Sequence, residues 1–216
     1  TSRNAKKYYS YRQYKYRKLI EYFFYFWDKS NSAKIRENIN SKHLRFIEAY
    51  KDSIIVEGPT VSHNKKIFTG NMYMLDLPDI KNSLTFIEEN PFVKSGVFKK
   101  IFVCRCQNAM QQKQWLHDAD KDKDQYFLII GHGKPGMTEL RKKLLQNHRR
   151  YFIERGYQNK FIVRGPLWSP NEEEWVGSEF ILKLENRKSV DTFLSEEPYT
   201  QTGLYERLEI HRWQFG

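Results

Sequence analysis

Cysteine is scarce in this sequence, which has only Cys104 and Cys106 among its 216 residues. The two lie two residues apart in a predicted strand, so their side chains cannot readily close a disulfide. We therefore predict neither a disulfide framework nor a cysteine-based zinc site, and we interpret both residues as ordinary strand residues. The lack of disulfides is typical of a reducing compartment rather than of secretion.

Long hydrophobic runs are also lacking. The longest apolar and aromatic run near the start covers residues 22–27, far short of the roughly 20 residues that cross a bilayer. No transmembrane helix is predicted. Because 39% of the residues are hydrophobic and 16% are aromatic, and both kinds are spread through the two halves, each half can bury a compact core.

Acidic residues are absent from the first 18 positions, while the chain as a whole has a formal net charge of +11. This N-terminal arm interleaves cations with tyrosines, a mixture that can lie on phosphates with its rings stacked on bases, or on a protein surface. A disordered, soluble tail is the alternative. The residues predicted to bind a partner are Arg3, Lys6, Lys7, Tyr8, Tyr9, Tyr11, Arg12, Tyr14, Lys15, Tyr16, Arg17 and Lys18.

What the sequence does contain is an internal repeat with a constant offset of 107 residues. Four features recur at this spacing, each in a similar apolar setting. They are Gly58-Pro59 with Gly165-Pro166, Gly70 with Gly177, Pro91 with Pro198, and Gly96 with Gly203. Two tandem copies of one domain are therefore predicted.

Each copy shows the order strand, helix, strand, strand, helix, strand, which predicts an α+β fold of two ferredoxin-like repeats. The predicted ranges are 1–20 for the arm, 21–106 for the first domain, 107–124 for a charged linker and 125–216 for the second domain. Ile80, Leu84 and Ile87 have helical spacing and are expected to face the sheet. The other sheet face needs a cover, so the two repeats are predicted to pack as an intramolecular dimeric α+β barrel.

These motifs resemble the YCII-related (YciI-like) family of small ferredoxin-like proteins that pair into a dimeric barrel around a shared cleft. The family pattern is a strand ending in Asp-Lys, a His, a Gly-Pro, an Asp-Pro-Tyr turn and a Gly before the last strand. The first copy has Asp28-Lys29, His43, Gly58-Pro59, Asn90-Pro91-Phe92 and Gly96. The second has Gly133-Lys134-Pro135-Gly136, His148, Gly165-Pro166, Glu197-Pro198-Tyr199 and Gly203.

The resemblance implies a catalytic dyad between the His and an Asp nine residues later. The first copy has this pair as His43 and Asp52, and a carboxylate that orients an imidazole is a reasonable general base. The segment from Asp52 to Gly58 is two residues shorter than the family pattern, however. In the second copy Tyr157 stands in place of the acid, so His148 is predicted to lack an orienting partner.

Two further segments are interpreted as structural. Residues 118–124 superficially resemble a calcium loop, but they lack the Gly and Glu that such a loop needs, so a solvated linker is predicted. Residues 131–136 are rich in glycine without the spacing of a phosphate-binding loop, and a turn is predicted. No metal site and no cofactor are predicted.

Because the two copies keep the turn residues but differ at polar positions, the sequence favours a scaffold whose chemistry has been lost. A start at Thr1 and a basic arm favour a mitochondrial location. We therefore predict a non-catalytic accessory subunit of a large mitochondrial complex of the respiratory-chain or ATP-synthase type, with protein subunits as partners. One alternative is a mitochondrial ribosomal protein whose arm contacts rRNA. Anionic lipid is a further candidate partner of the arm. The other alternative is a YciI-like small-molecule enzyme that uses the His43 and Asp52 dyad.

Overall fold

The computed structural model describes residues 19–117 and 124–216. The first repeat forms strands β1 (Ile20–Asp28), β2 (Ile54–Val61), β3 (Phe68–Leu77) and β4 (Phe98–Cys106), with helices α1 (Ala33–Ala49), α2 (Ile80–Glu89) and α3 (Pro91–Lys94). The second forms β5 (Tyr126–Gly133), β6 (Phe161–Trp168), β7 (Trp175–Lys183) and β8 (Tyr205–Trp213), with helices α4 (Thr138–Glu154), α5 (Arg187–Glu196) and α6 (Pro198–Gln201). The predicted elements are all present.

The eight strands close into one antiparallel barrel in the order β1-β3-β2-β8-β5-β7-β6-β4. Each repeat supplies one four-stranded sheet, and the two sheets meet along two short seams. At the first seam β2 pairs with β8 through Thr60 and Trp213. At the second seam β4 pairs with β6 through Cys106 and Leu167. The predicted intramolecular α+β barrel is confirmed.

The conserved spacing of the Gly-Pro pairs has a structural reason at these seams. The segment after the last strand of each repeat crosses the Gly-Pro pair of the other, and Gln214 N donates to Pro59 O at 3.0 Å. A Cβ at Gly58 would clash with the carbonyl oxygen of Gln214, and one at Gly165 would clash with that of Gln107. Only glycine therefore lets the two backbones approach this closely.

The helices cover the outer faces of the two sheets, although α2 does so with a different side from the one predicted. Ile80 and Leu84 are about half exposed, whereas Phe86 is fully buried. Phe86 packs on Phe24 and Tyr73, with ring centroids 5.1 and 5.2 Å away. The larger aromatic ring therefore sets the rotation of the helix, because it buries more apolar surface than either aliphatic side chain.

Alternating strand residues divide the core into an interior and two outer layers. The barrel interior contains Tyr25, Met72 and Cys104 of the first repeat with Leu128 and Ile181 of the second. Separate clusters lie between each sheet and its helices. Within the described ranges, no helix is long and apolar enough to cross a membrane.

Candidate active site

His43 lies on the inward face of α1 and is almost completely buried. Its Nε2 is 3.2 Å from the Tyr73 hydroxyl, and its ring stacks on Phe92 with centroids 3.8 Å apart. Burial, and then the nearby positive charge of Arg36, lower the pKa of His43 to about 4. The imidazole is therefore neutral at pH 7.

Asp52 does not reach this histidine. It is exposed in the turn that follows α1, where its backbone carbonyl accepts a hydrogen bond from Lys113 Nζ at 2.6 Å. His43 lies six residues before the end of α1, which corresponds to a rise of about 9 Å along the helix axis, and Asp52 follows beyond that end. The predicted dyad is therefore not formed.

The second copy has the orienting acid that the sequence analysis missed. Nδ1 of His148 is 2.6 Å from Oε1 of Glu197, and both side chains are buried. The ring of His148 stacks on Tyr199 with centroids 4.0 Å apart. Because Glu197 occupies the acidic position of the family's Asp-Pro-Tyr turn, this turn provides the carboxylate. Tyr157, which stands nine residues after His148, does not take that place.

The same turn position explains the first copy. Asn90 replaces the acid, and its Oδ1 accepts the backbone N–H of Phe92 at 2.9 Å, as Glu197 accepts that of Tyr199 at 3.0 Å. Contact with Asn90 acts to raise the pKa of His43, against burial and the charge of Arg36, which lower it. Among the described residues, however, none makes a hydrogen bond of normal geometry with His43 Nδ1. A buried nitrogen without a partner is costly and calls for an explanation.

An open cleft of about 560 Å³ lies beside His43, between α1 and the edge formed by β2 and β3. Its walls are mainly apolar, with Ala33, Ile47, Phe68 and Phe92 among them. A volume in the range of about 300 to 1,000 Å³ with mainly apolar walls is typical of small-molecule sites. The cleft is therefore the candidate active site.

Arg36 is the central charged group of this cleft. Its Nε donates to Asp28 Oδ2 at 2.5 Å, and its Nη2 donates to Asp28 Oδ1 at 2.7 Å and to Asn71 Oδ1 at 2.5 Å. The guanidinium also lies 4.7 Å from the Phe92 ring centroid and 5.0 Å from that of Phe68. These bonds hold the guanidinium in one orientation, and among the described residues Nη1 makes no hydrogen bond.

The segment that follows β8 completes the cleft. Phe215 and Gly216 line it together with Glu57, and Gly216 N donates to Glu57 O at 3.2 Å. Phe215 also packs against Tyr126, with ring centroids 5.1 Å apart. The cleft of the first repeat thus has a wall from the second, which only the paired arrangement of the repeats can supply.

The equivalent space in the second repeat is filled. Trp175 occupies the position of Phe68 and is fully buried, while Gly133 occupies the position of Asp28. A Cβ at Gly133 would lie 2.7 Å from the Trp175 ring, and a Cβ at Gly131 would clash with the ring of Tyr205. Aromatic rings therefore take the place of the acid and of the cavity.

The barrel interior contains a polar cluster that the sequence did not reveal. Glu209 accepts hydrogen bonds from Trp27 Nε1 at 3.0 Å and from His132 Nε2 at 2.8 Å. Although burial acts to raise the pKa of Glu209, hydrogen bonds from His132 and His211 and the charge of Arg207 lower it overall. These side chains lie on strands of different repeats, so their meeting depends on how the two sheets face each other.

The remaining predicted residues lie in several places. Cys104 and Cys106 are buried in β4 without a disulfide, and burial followed by the charge of Glu179 raises the pKa of both thiols. Residues 131–133 belong to β5, and the turn begins only after them because the glycines there accommodate the rings of Trp175 and Tyr205. The binding residues predicted in the arm and the acidic part of the linker at 118–123 lie outside the described residues. No group of His, Cys, Asp and Glu in the described ranges can hold a metal ion.

The fold and cleft define a pseudo-dimeric α+β barrel in which two ferredoxin-like halves share their walls. The chain belongs to the YCII-related family, because the model of the YCII-related domain matches residues 20–107 and again residues 125–214. The resemblance inferred from the motifs is thus confirmed. No curated protein sequence matches the chain.

Solved structures with similar folds bear the names of enzymes. A chlorite dismutase variant from Candidatus Nitrospira defluvii is 10% identical over 91% of both chains, with a TM-score of 0.58. A putative monooxygenase from Fusobacterium nucleatum is 9% identical over 93% of both chains, with a TM-score of 0.55. A 5-chloro-2-hydroxyhydroquinone dehydrochlorinase from Burkholderia phenoliruptrix AC1100 is 26% identical over 44% of this chain and all of that one, with a TM-score of 0.40.

The predicted non-catalytic accessory subunit of a mitochondrial complex is wrong. Similar structures that cover more than nine tenths of the chain bear the names of a putative monooxygenase and a chlorite dismutase, and these comparisons give no support to a respiratory-chain, ATP-synthase or ribosomal subunit. The prediction failed because the polar differences between the two copies were interpreted as loss of chemistry from the scaffold, with at most one copy still equipped for it. The mitochondrial location and the partners of the arm stay predictions.

Proposed function

We propose that this chain is an enzyme whose first cleft binds a small, largely apolar molecule, holds one oxygen of that molecule at Arg36 and transfers a proton at His43. The observation that carries the proposal is the difference between the two repeats. The first keeps an open cleft around a buried guanidinium, while the second fills the same space with Trp175. The proposal agrees with the enzyme names of the solved structures that share this fold.

Arg36 suits the recognition of a carbonyl or anionic oxygen. Asp28 and Asn71 fix its Nε and Nη2, which leaves Nη1 for a ligand. A donor held rigid before the ligand arrives needs no reorganisation when negative charge develops on that oxygen. The rings of Phe68 and Phe92 beside the guanidinium favour a ligand with a planar, apolar body.

His43 is suited to accept a proton only while that negative charge is present. Its pKa of about 4 keeps it neutral at pH 7, and the positive charge of Arg36 opposes protonation. An oxyanion bound at Arg36 offsets that charge, so protonation of the His43 imidazole becomes easier as the oxyanion forms. The expected reaction class is proton transfer next to a carbonyl or phenolic oxygen, as in an isomerisation or an elimination.

Exchange of substrate protons with heavy water tests the proposal directly. The full chain is incubated in D₂O with a panel of enolisable cyclic ketones and hydroxylated aromatics, and deuterium incorporation is followed by NMR. Wild-type protein is expected to label at least one compound, and Ala33→Trp is expected to abolish labelling because Ala33 lines the cleft. Lys34→Trp is the matched control, since Lys34 is exposed and is not among the residues that line the cleft.

A second pair of variants separates binding from proton transfer. His43→Gln should stop labelling without weakening ligand binding by more than about threefold, whereas Asp28→Asn combined with Arg36→Gln should weaken binding itself. The double change avoids leaving one buried charge unpaired, which would threaten the fold. If Ala33→Trp labels as well as wild type, the first cleft is not the site and the proposal fails.

A further inference from the structure

A second cleft of about 260 Å³ lies at the seam between β2 and β8, and it shares no lining residue with the cleft beside His43. The described residues that line it include Arg187, Arg212, His63 and His211, together with the hydroxyl groups of Ser62 and Thr69. No Asp or Glu of the described ranges lines it. A concave site with several cations and no facing acid attracts anions.

The cations of this cleft are only weakly neutralised. Arg187 forms an ion pair with Asp191 at 3.2 Å, but both side chains are more than half exposed, and pairs of this kind contribute little. Arg212 donates from Nη2 to the neutral amide of Gln125 at 2.8 Å, and its buried Nε has no hydrogen-bond partner among residues 19–117 and 124–216. Glu209 lies 3.4 Å behind His211, where Trp27 and His132 already engage it.

At the opposite seam, between β4 and β6, the equivalent residues have a different charge arrangement. Arg105 occupies the position equivalent to Arg212 and forms an ion pair with Glu172. The residue equivalent to Glu172 at the first seam is Lys65, and both adopt a left-handed backbone, with φ of 61° and 59°. Lys65 shares a small adjoining cleft of about 170 Å³ with Arg212, and the acid in that cleft, Asp124, forms an ion pair with Lys183 at 2.7 Å. One seam therefore neutralises its arginine internally, while the other places a second cation beside it.

We infer that the seam cleft of Arg187 and Arg212, together with Lys65 of the adjoining cleft, binds a small molecule that carries a phosphate group. The cleft accepts a compact dianion, and guanidinium groups match the geometry of phosphate oxygens. Phe127 lies beneath Arg212, with the guanidinium 5.6 Å from the ring centroid, so the charged groups sit on an apolar floor. This site is separate from the first cleft and does not depend on the proposed proton transfer.

Titration of the full chain with inorganic pyrophosphate, followed by calorimetry, tests this inference. Lys65→Glu gives the first seam the same residue that the opposite seam has at Glu172. Because the backbone has the same left-handed conformation at both positions, the substitution should not disturb the fold. Replacing an attraction with a repulsion is expected to weaken binding about tenfold, and Arg187→Gln should weaken it about threefold. Both losses should shrink as salt is raised.

The control is Lys99→Glu, the same charge change at an exposed residue that lines neither cleft, and it should leave pyrophosphate affinity within about twofold of wild type. The basic arm is intact in all of these variants, so binding by the arm would persist in Lys65→Glu. Equal affinity of wild type and Lys65→Glu would therefore overturn the inference. The inference would also be overturned if pyrophosphate did not bind while a short RNA bound and lost affinity in Lys65→Glu. That result would indicate a surface for polyanions instead.

Discussion

Substitution of Trp175 is the sharpest test of the claim that the two repeats have diverged into one open and one filled cleft. Trp175 and Phe68 occupy equivalent positions at the start of β7 and β3. Trp175 is fully buried, whereas Phe68 is 47% exposed. The same substitution by alanine should therefore have very different effects at the two sites.

The expected magnitudes follow from the buried surface. A fully buried tryptophan removes about 200 Å² from water, worth about 5 kcal/mol at 25 cal/mol per Å², and truncations of this kind cost about 3 to 5 kcal/mol. Trp175→Ala should lower the free energy of unfolding by that amount. Phe68→Ala, which leaves no closed cavity, should lower it by less than about 2 kcal/mol.

Urea-induced unfolding, followed by circular dichroism, measures both values from the midpoint and slope of the transition. An unchanged slope shows that the midpoint reports stability. Adding indole to Trp175→Ala should recover part of the loss, because an apolar cavity of that shape binds an apolar ring. If the two alanine variants lose equal stability, or if indole stabilises both equally, the second cleft is not filled in the way described.

Three further predictions concern pH, the backbone crossing and the thiols. Because the pKa of His43 falls from 6.5 to about 4 on folding, the unfolded chain binds more protons between these values, so stability should fall by about 3 kcal/mol as pH drops from 6.5 to 4. His43→Gln should flatten that slope in urea titrations, and an unchanged slope would contradict the assignment. Gly165→Ala should cost about 1 to 3 kcal/mol because its Cβ meets Gln107, whereas Gly136→Ala meets no atom within 4 Å and should show only the smaller strain of its positive φ. Cys104 and Cys106 should react with a thiol reagent only after denaturation, since burial raises the pKa of both; fast reaction of the native chain would show that β4 opens.

The duplicated barrel could be predicted from the sequence because its determinants are local. Glycines at turns and at close crossings leave a fixed spacing, as Gly58 and Gly165 do, and strand alternation shows that each sheet has a second face to cover. The rotation of α2 could not be predicted, since Ile80, Leu84 and Ile87 form an equally regular stripe. Phe86 is buried because it packs on the rings of Phe24 in β1 and Tyr73 in β3.

The candidate site could be predicted only in part, because its partners are distant in sequence. His43 and His148 were found from their motif, but the acid that orients His148 lies 49 positions away, at Glu197. That residue was visible in the sequence as a variant of the Asp-Pro-Tyr turn. Its pairing with the histidine depends on how α6 packs against α4, which no local pattern encodes.

The two repeats differ in how they fill the space beside the buried histidine. In the second repeat, Gly133 removes the acid that would pair with an arginine and at the same time makes room for the ring of Trp175. These two differences are coupled, since a side chain at position 133 would strike that ring. The first repeat has the opposite pair, Asp28 and Phe68, and keeps a buried guanidinium beside an open space. The filled half then stabilises the barrel and supplies Phe215 to the wall of the open half, so loss of one cleft does not imply loss of the other.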